Sequence, residues 1–165
     1  VLINPHDKTS LIELIAAQCS FKASIVSGDE REDIDRTDYR SRKILNFGHT
    51  VGHALETLTS YRYFKHGEAV GYGMIAAAEI SNGLGLLKEK ALFSLKETLK
   101  LAGSLPRASH LDQNKLLMLL DRDKKAVAGN LKWVLLERIG RAKIVDGREI
   151  APALVREAIS RALNW

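Results

Sequence analysis

The chain has 165 residues, 45% apolar and 27% charged, which fits one soluble domain and excludes disorder over its whole length. Its one cysteine, Cys19, excludes an internal disulfide and there is no CxxC pair, so a reducing, cytoplasmic setting is expected. The net charge of +5 suits an anionic ligand, but acids alternate with the bases and no apolar run approaches the about 20 residues of a membrane span, so neither nucleic acid nor membrane is an expected partner.

In chain order, Val1–His6 has neither an initiator Met nor a basic leader, which suggests that something upstream has been removed. Thr9 or Ser10 is placed to cap a first helix carrying Leu11, Leu14, Ile15, Phe21 and Ile25, which Gly28 ends. The stretch Asp29 to Ser41 is mostly charged and reads as an exposed loop. A second helix is predicted from Lys43 to Thr59, with Phe47, Val51, Leu55 and Leu58 on one stripe. A third starts near Gly67 and runs through Ile80. Its Gly71 and Gly73 each cost up to ~1 kcal/mol in a helix, so a neighbouring helix or a ligand is expected to come close there. A fourth spans Lys88 to Ala102, before Gly103 and Pro106. A fifth starts at Asp112 and carries Leu116, Leu117, Leu119 and Leu120. Lys132–Leu136 and Ala142–Val145 flank Gly140 and predict a short hairpin. A last helix begins at Pro152 and carries Leu154, Val155, Ile159 and Leu163. The expected fold is mainly α: a single-domain helical bundle over residues 1–165 with one small β-hairpin.

The chemistry concentrates in two places. On one continuous helix, Arg42, Asn46, His49, His53 and Glu56 would form a polar stripe, because residues three and four apart are neighbours. Gly48 and Gly52 would leave the backbone open beside the two histidines. The second place is Lys65-His66-Gly67-Glu68, at the start of the third helix, where a turn of the chain brings His66 beside His49. Single helical histidines are most often ordinary surface or core residues, and HxxxH alone is a weak signal. Spacing alone therefore supports a divalent-metal site that binds an anionic substrate.

The strings Leu45-Asn46-Phe47-Gly48-His49-Thr50, Gly52-His53-Ala54 with Glu56, and His66-Gly67-Glu68-Ala69-Val70 with Gly73-Met74 resemble the signature of the dehydroquinate synthases. Lys22-Ala23 with Val26 and Asp29-Glu30 before them, and Asp123-Lys124-Lys125, Val134-Leu135-Leu136 and Ile139-Gly140 after them, are similar to that family in the same order. The resemblance implies conversion of 3-deoxy-D-arabino-heptulosonate 7-phosphate to 3-dehydroquinate and phosphate, in the shikimate pathway of aromatic amino-acid biosynthesis. It implies NAD, which takes and returns a hydride, and Zn2+, or another divalent metal such as Co2+. It makes His49 and His66 metal ligands, His53 a proton relay and Asn46 an orienting group for a substrate oxygen. It places Lys22 and Arg42 on the substrate carboxylate and Lys124 or Lys125 on the phosphate, with Lys125 preferred.

The same resemblance marks what is missing. The family's third metal ligand, a Glu, lies upstream, and its N-terminal NAD-binding domain with a glycine-rich turn has no counterpart here. The chain is therefore expected to fold, to be inactive by itself, and to work with that domain in a full-length homodimer. Glu32 is the match for the family's acidic residue in the 29–41 loop. Two other readings stay open. One is a related sugar-phosphate cyclase, such as a deoxy-inosose or valiolone synthase, although Lys22, Asn46 and His53 fit the dehydroquinate enzymes. The other is a non-catalytic helical module.

Overall fold

The computed structural model describes residues 8–33, 35–126 and 131–165. In chain order it has α1 (Lys8–Gly28), a 3-10 turn at Arg42–Asn46, α2 (His49–Leu58), α3 (His66–Gly83), α4 (Glu89–Ala102) and α5 (Gln113–Ala126). A hairpin of β1 (Lys132–Arg138) and β2 (Arg141–Asp146) and then α6 (Pro152–Leu163) complete it. The mainly helical bundle with one antiparallel hairpin is thus the architecture present.

The core forms around α3. Leu55 of α2, Ile75 and Ile80 of α3, Leu116 of α5, Leu135 of β1 and Ile159 of α6 are completely buried. The middle of α3 is a run of buried alanines, Ala76 to Ala78, and small side chains let several elements approach it at once. Polar ties fix the arrangement. Buried Glu79 of α3 accepts from Lys96 of α4 and Arg161 of α6. Ser81 accepts from the Leu136 N–H of β1 at 3.0 Å and donates to Ala77 O. In the hairpin, Lys132 pairs with Asp146 and Val134 with Ile144, and Gly140 turns the chain at φ +80°.

Two expectations are corrected. The predicted continuous helix over Lys43–Thr59 is broken: the 3-10 turn ends at Asn46, and Gly48, at φ +83°, starts α2 afresh. A left-handed residue cannot continue a right-handed helix, and glycine adopts that conformation at little cost. Helix α1 also differs at its start. Thr9 and Ser10 lie inside it rather than capping it, and none of its residues is buried. Leu11, Ile12, Leu14, Ile15 and Phe21 are all exposed. By length and composition this helix could cross a membrane, a feature masked in the sequence because Glu13 and Lys22 interrupt its apolar stretches.

Candidate metal and substrate site

The site is built where α2 meets the start of α3. The two backbones touch through glycine. A side chain on Gly73 would overlap the Gly48 carbonyl, and one on Gly52 would lie 3.2 Å from Val70 Cα. Gly48 and Gly52 therefore do not leave open backbone beside the histidines; they let α3 pack closely there. Gly71 instead faces the Leu105 side chain. After α2 the chain reverses through Ser60 and Tyr61, both left-handed, and the Tyr61 N–H donates to Glu56 O at 2.7 Å. The Lys65 N–H then donates to the Glu68 carboxylate, 2.7 Å away, which fixes the first turn of α3. His66 is the first residue of that turn and so points back over α2.

This geometry gathers three histidines. Ring centroids lie 5.4 Å apart for His49 and His53, 5.3 Å for His49 and His66, and 5.9 Å for His53 and His66. The rings are held differently. His66 Nδ1 lies 3.0 Å from the carboxylate of Glu56, and His49 Nδ1 lies 3.3 Å from Phe47 O. Both partners are acceptors, so in each pair Nδ1 is the donor, and neither Nε2 has a hydrogen-bond partner among the described residues. His53 is exposed and has ring contacts only, among the described residues.

Donor atoms of His53, Glu56 and His66 lie within 4.8 Å of one another, a set suited to a divalent cation. That set differs from the pair His49 and His66 that the motif resemblance picks out. Hydrogen bonding favours the latter pair, because metal-bound histidines donate their other ring nitrogen to a protein acceptor. Glu56, which lay on the predicted stripe without a role, is the residue that the sequence reading left out. The signal was present: it is three residues after His53 on the same face.

The remaining candidates are placed less completely. The break at Gly48 takes Arg42 and Asn46 off the helix that carries the histidines, so the five-residue stripe is not continuous. The Arg42 guanidinium donates to Glu30 O at 3.2 Å, and its Nε lies 4.0 Å from a Glu32 carboxylate oxygen. The Arg42 N–H donates to Asp29 at 2.8 Å. The backbone N–H groups of Arg42 and Asp33 hold the Asp29 carboxyl below its usual pKa. Asn46 and Lys22 are exposed, the latter on α1. The side chains of Lys124 and Lys125 lie outside the described residues.

A cavity of about 350 Å³ adjoins His53, between Thr50 and Thr57 of α2 and Leu119 and Arg122 of α5. Cavities of about 560 and 390 Å³ elsewhere carry none of the three histidines. Chemistry rather than size therefore marks the site.

The model of the 3-dehydroquinate synthase C-terminal domain matches residues 2–126. The chain belongs to the 3-dehydroquinate synthase family. It is 40% identical over 152 residues to the 3-dehydroquinate synthase of Thermosynechococcus vestitus, covering 91% of this chain and 39% of the relative. It is 43% identical over 160 residues to that of Dichelobacter nodosus, covering 96% of this chain and 42% of the relative. The chain thus spans about two fifths of the length of these relatives. Among solved structures, a 2-deoxy-scyllo-inosose synthase complexed with carbaglucose-6-phosphate, NAD+ and Co2+ is 27% identical, with a TM-score of 0.60 over 73% of this chain and 34% of that one. A 2-epi-5-epi-valiolone synthase from Streptomyces hygroscopicus with NAD+ and Zn2+ bound shares the fold, at 20% identity and a TM-score of 0.73 over 95% of this chain and 41% of that one. The family match takes in all of α1.

Proposed function

We propose that this chain is the metal- and substrate-binding domain of a 3-dehydroquinate synthase that converts 3-deoxy-D-arabino-heptulosonate 7-phosphate to 3-dehydroquinate and phosphate. The observation that carries the reading is the unequal treatment of the three histidines. His49 and His66 have Nδ1 tied to protein acceptors and Nε2 free, as is usual for metal ligands, whereas His53 is untied and exposed, which leaves both its nitrogens open to a substrate proton. These donors fit Zn2+ or Co2+, with a Glu from the preceding polypeptide as third ligand. When bound, the metal would act as a Lewis acid on a substrate oxygen. NAD, held mainly by an N-terminal domain, would carry the hydride.

The chain's own groups do the rest. His53 Nε2 or Nδ1 takes or gives a substrate hydroxyl proton at the mouth of the neighbouring cavity. Asn46 orients an oxygen, Lys22 and Arg42 bind the carboxylate, and Lys124 or Lys125 binds the phosphate. An Arg suits the carboxylate because its planar fork grips both oxygens. The full-length protein works as a cytoplasmic homodimer on this reading. Its relation to the curated relatives, at 38–43% identity, favours dehydroquinate synthesis over the inosose and valiolone reactions of the more distant solved structures.

The test is to assay the purified chain with substrate, NAD and zinc, alone and after adding a separately expressed N-terminal domain. Release of phosphate only in the mixture is the expected result. Turnover by the chain alone, or a mixture active on glucose 6-phosphate instead, would overturn the assignment.

A further inference from the structure

Glu56 has no role in the reading above, yet its placement is specific. Its side chain is only 8% exposed, and a buried carboxylate is costly unless it is hydrogen-bonded. The partner that the fold supplies is His66 Nδ1, at 3.0 Å. The His66 side chain itself is 57% exposed, and besides Glu56 its ring meets the His49 and His53 rings. A carboxylate only accepts hydrogen bonds, which requires Nδ1 to donate. The free electron pair then sits on Nε2, across the ring from Glu56.

We propose that Glu56 is a positioning residue that sets the tautomer and the direction of His66, and thereby the divalent-metal affinity of the site. The proposal rests on the reading of His49 and His66 as a metal pair. Direct ligation by Glu56 is the competing arrangement, since its carboxylate belongs to the set within 4.8 Å. The 3.0 Å contact disfavours it: with Nδ1 engaged as a hydrogen-bond donor to Glu56, the nitrogen left for a metal is Nε2, across the ring. The device also depends on the tight approach of α2 and α3, because Glu56 and His66 come from different helices.

The experiment uses the 165-residue chain labelled with nitrogen-15. Two-bond proton–nitrogen correlation spectra at pH 8 identify which His66 nitrogen is protonated, and calorimetric titration with ZnCl2 or CoCl2 gives the affinity. The wild-type chain is expected to show His66 protonated at Nδ1. Glu56→Leu should mix the two tautomers and weaken metal binding by about 10–100-fold. Glu56→Gln still offers an oxygen acceptor, so it should keep the Nδ1–H tautomer and lose less affinity. It also keeps the test running if the leucine variant does not fold. A wild-type His66 protonated at Nε2, or a Glu56→Leu chain with unchanged tautomer and affinity, would sink the proposal. So would a Glu56→Gln loss as large as that of His66→Ala, which is the mark of direct ligation. A wild-type chain that binds neither ion would overturn the claim on affinity. The spectra would still report separately whether Glu56 holds the ring.

Discussion

His49 and His53 are one helical turn apart, yet their surroundings differ. His49 is half-buried and tied to Phe47 O, while His53 is exposed beside the 350 Å³ cavity. His49→Ala should therefore abolish the visible absorption of bound Co2+, whereas His53→Ala should leave it unchanged. In a full-length enzyme His53→Ala should cut turnover by about 10²–10⁴-fold while metal content stays constant. Equal metal loss in the two variants would show that the roles are divided wrongly. The histidines were legible in the sequence because both spacings, four residues within α2 and the return to His66, follow from helix geometry. Arg42 and Asn46 were not legible as separate from that helix. Their separation depends on one left-handed glycine, and a 3.6-residue pattern does not report backbone handedness.

At the level of elements, the contact between α2 and α3 is the most demanding feature. A methyl group on Gly73 meets the Gly48 carbonyl, a backbone atom that cannot swing aside, so Gly73→Ala should destabilise the fold by about 1–3 kcal/mol or more. Gly71→Ala meets only the flexible end of Leu105 at 3.3 Å and should cost far less. Chemical denaturation of both variants checks the contrast, and comparable losses would refute it. The two glycines look alike in sequence, and only the structure shows which one faces a backbone. The elements from α3 to α6 were read more fully, because α4, α5 and α6 each carry an apolar face at helical spacing and the hairpin strands flank a turn glycine. Acid should act elsewhere, on the ties made by carboxylates. Asp29, held low chiefly by the Arg42 and Asp33 N–H groups, and Asp146, held low by Arg148 and Lys132, both have folded pKa values below their unfolded value of 3.8. Such groups stabilise the fold fully above that value, and the contribution is lost as pH falls through the lower folded values. Thermal melts should thus show little change in their contribution from pH 7 to 5 and a decline below about pH 4. Asp146→Asn should remove part of that decline, and an acid limb identical to wild type would show that the Arg148 and Lys132 ties contribute nothing.

For the whole molecule, the outlying feature is α1. Most of its leucines and isoleucines are exposed, because apolar residues lie all around the helix and the described elements reach only its C-terminal end, where Ile25 and Val26 are half-buried beside the 3-10 turn. A helix that is apolar on all sides is normally buried by protein or lipid. On the proposed function the cover is protein, supplied by the remainder of a full-length enzyme. The solution behaviour of the chain should follow. Exposed apolar area of this kind promotes self-association, so the chain should elute as concentration-dependent oligomers and bind a hydrophobic dye. Replacing Ile12, Ile15 and Phe21 together by glutamine should remove both effects. It should leave the melting transition in place, since Ile12 is 66% exposed and the other two are 53% exposed. Loss of the transition would mean that α1 is part of the cooperative core in solution. Persistent oligomers with an intact transition would place the self-association on another surface. In a full-length enzyme whose other domain covers these side chains, the same triple substitution should instead lower stability and activity together.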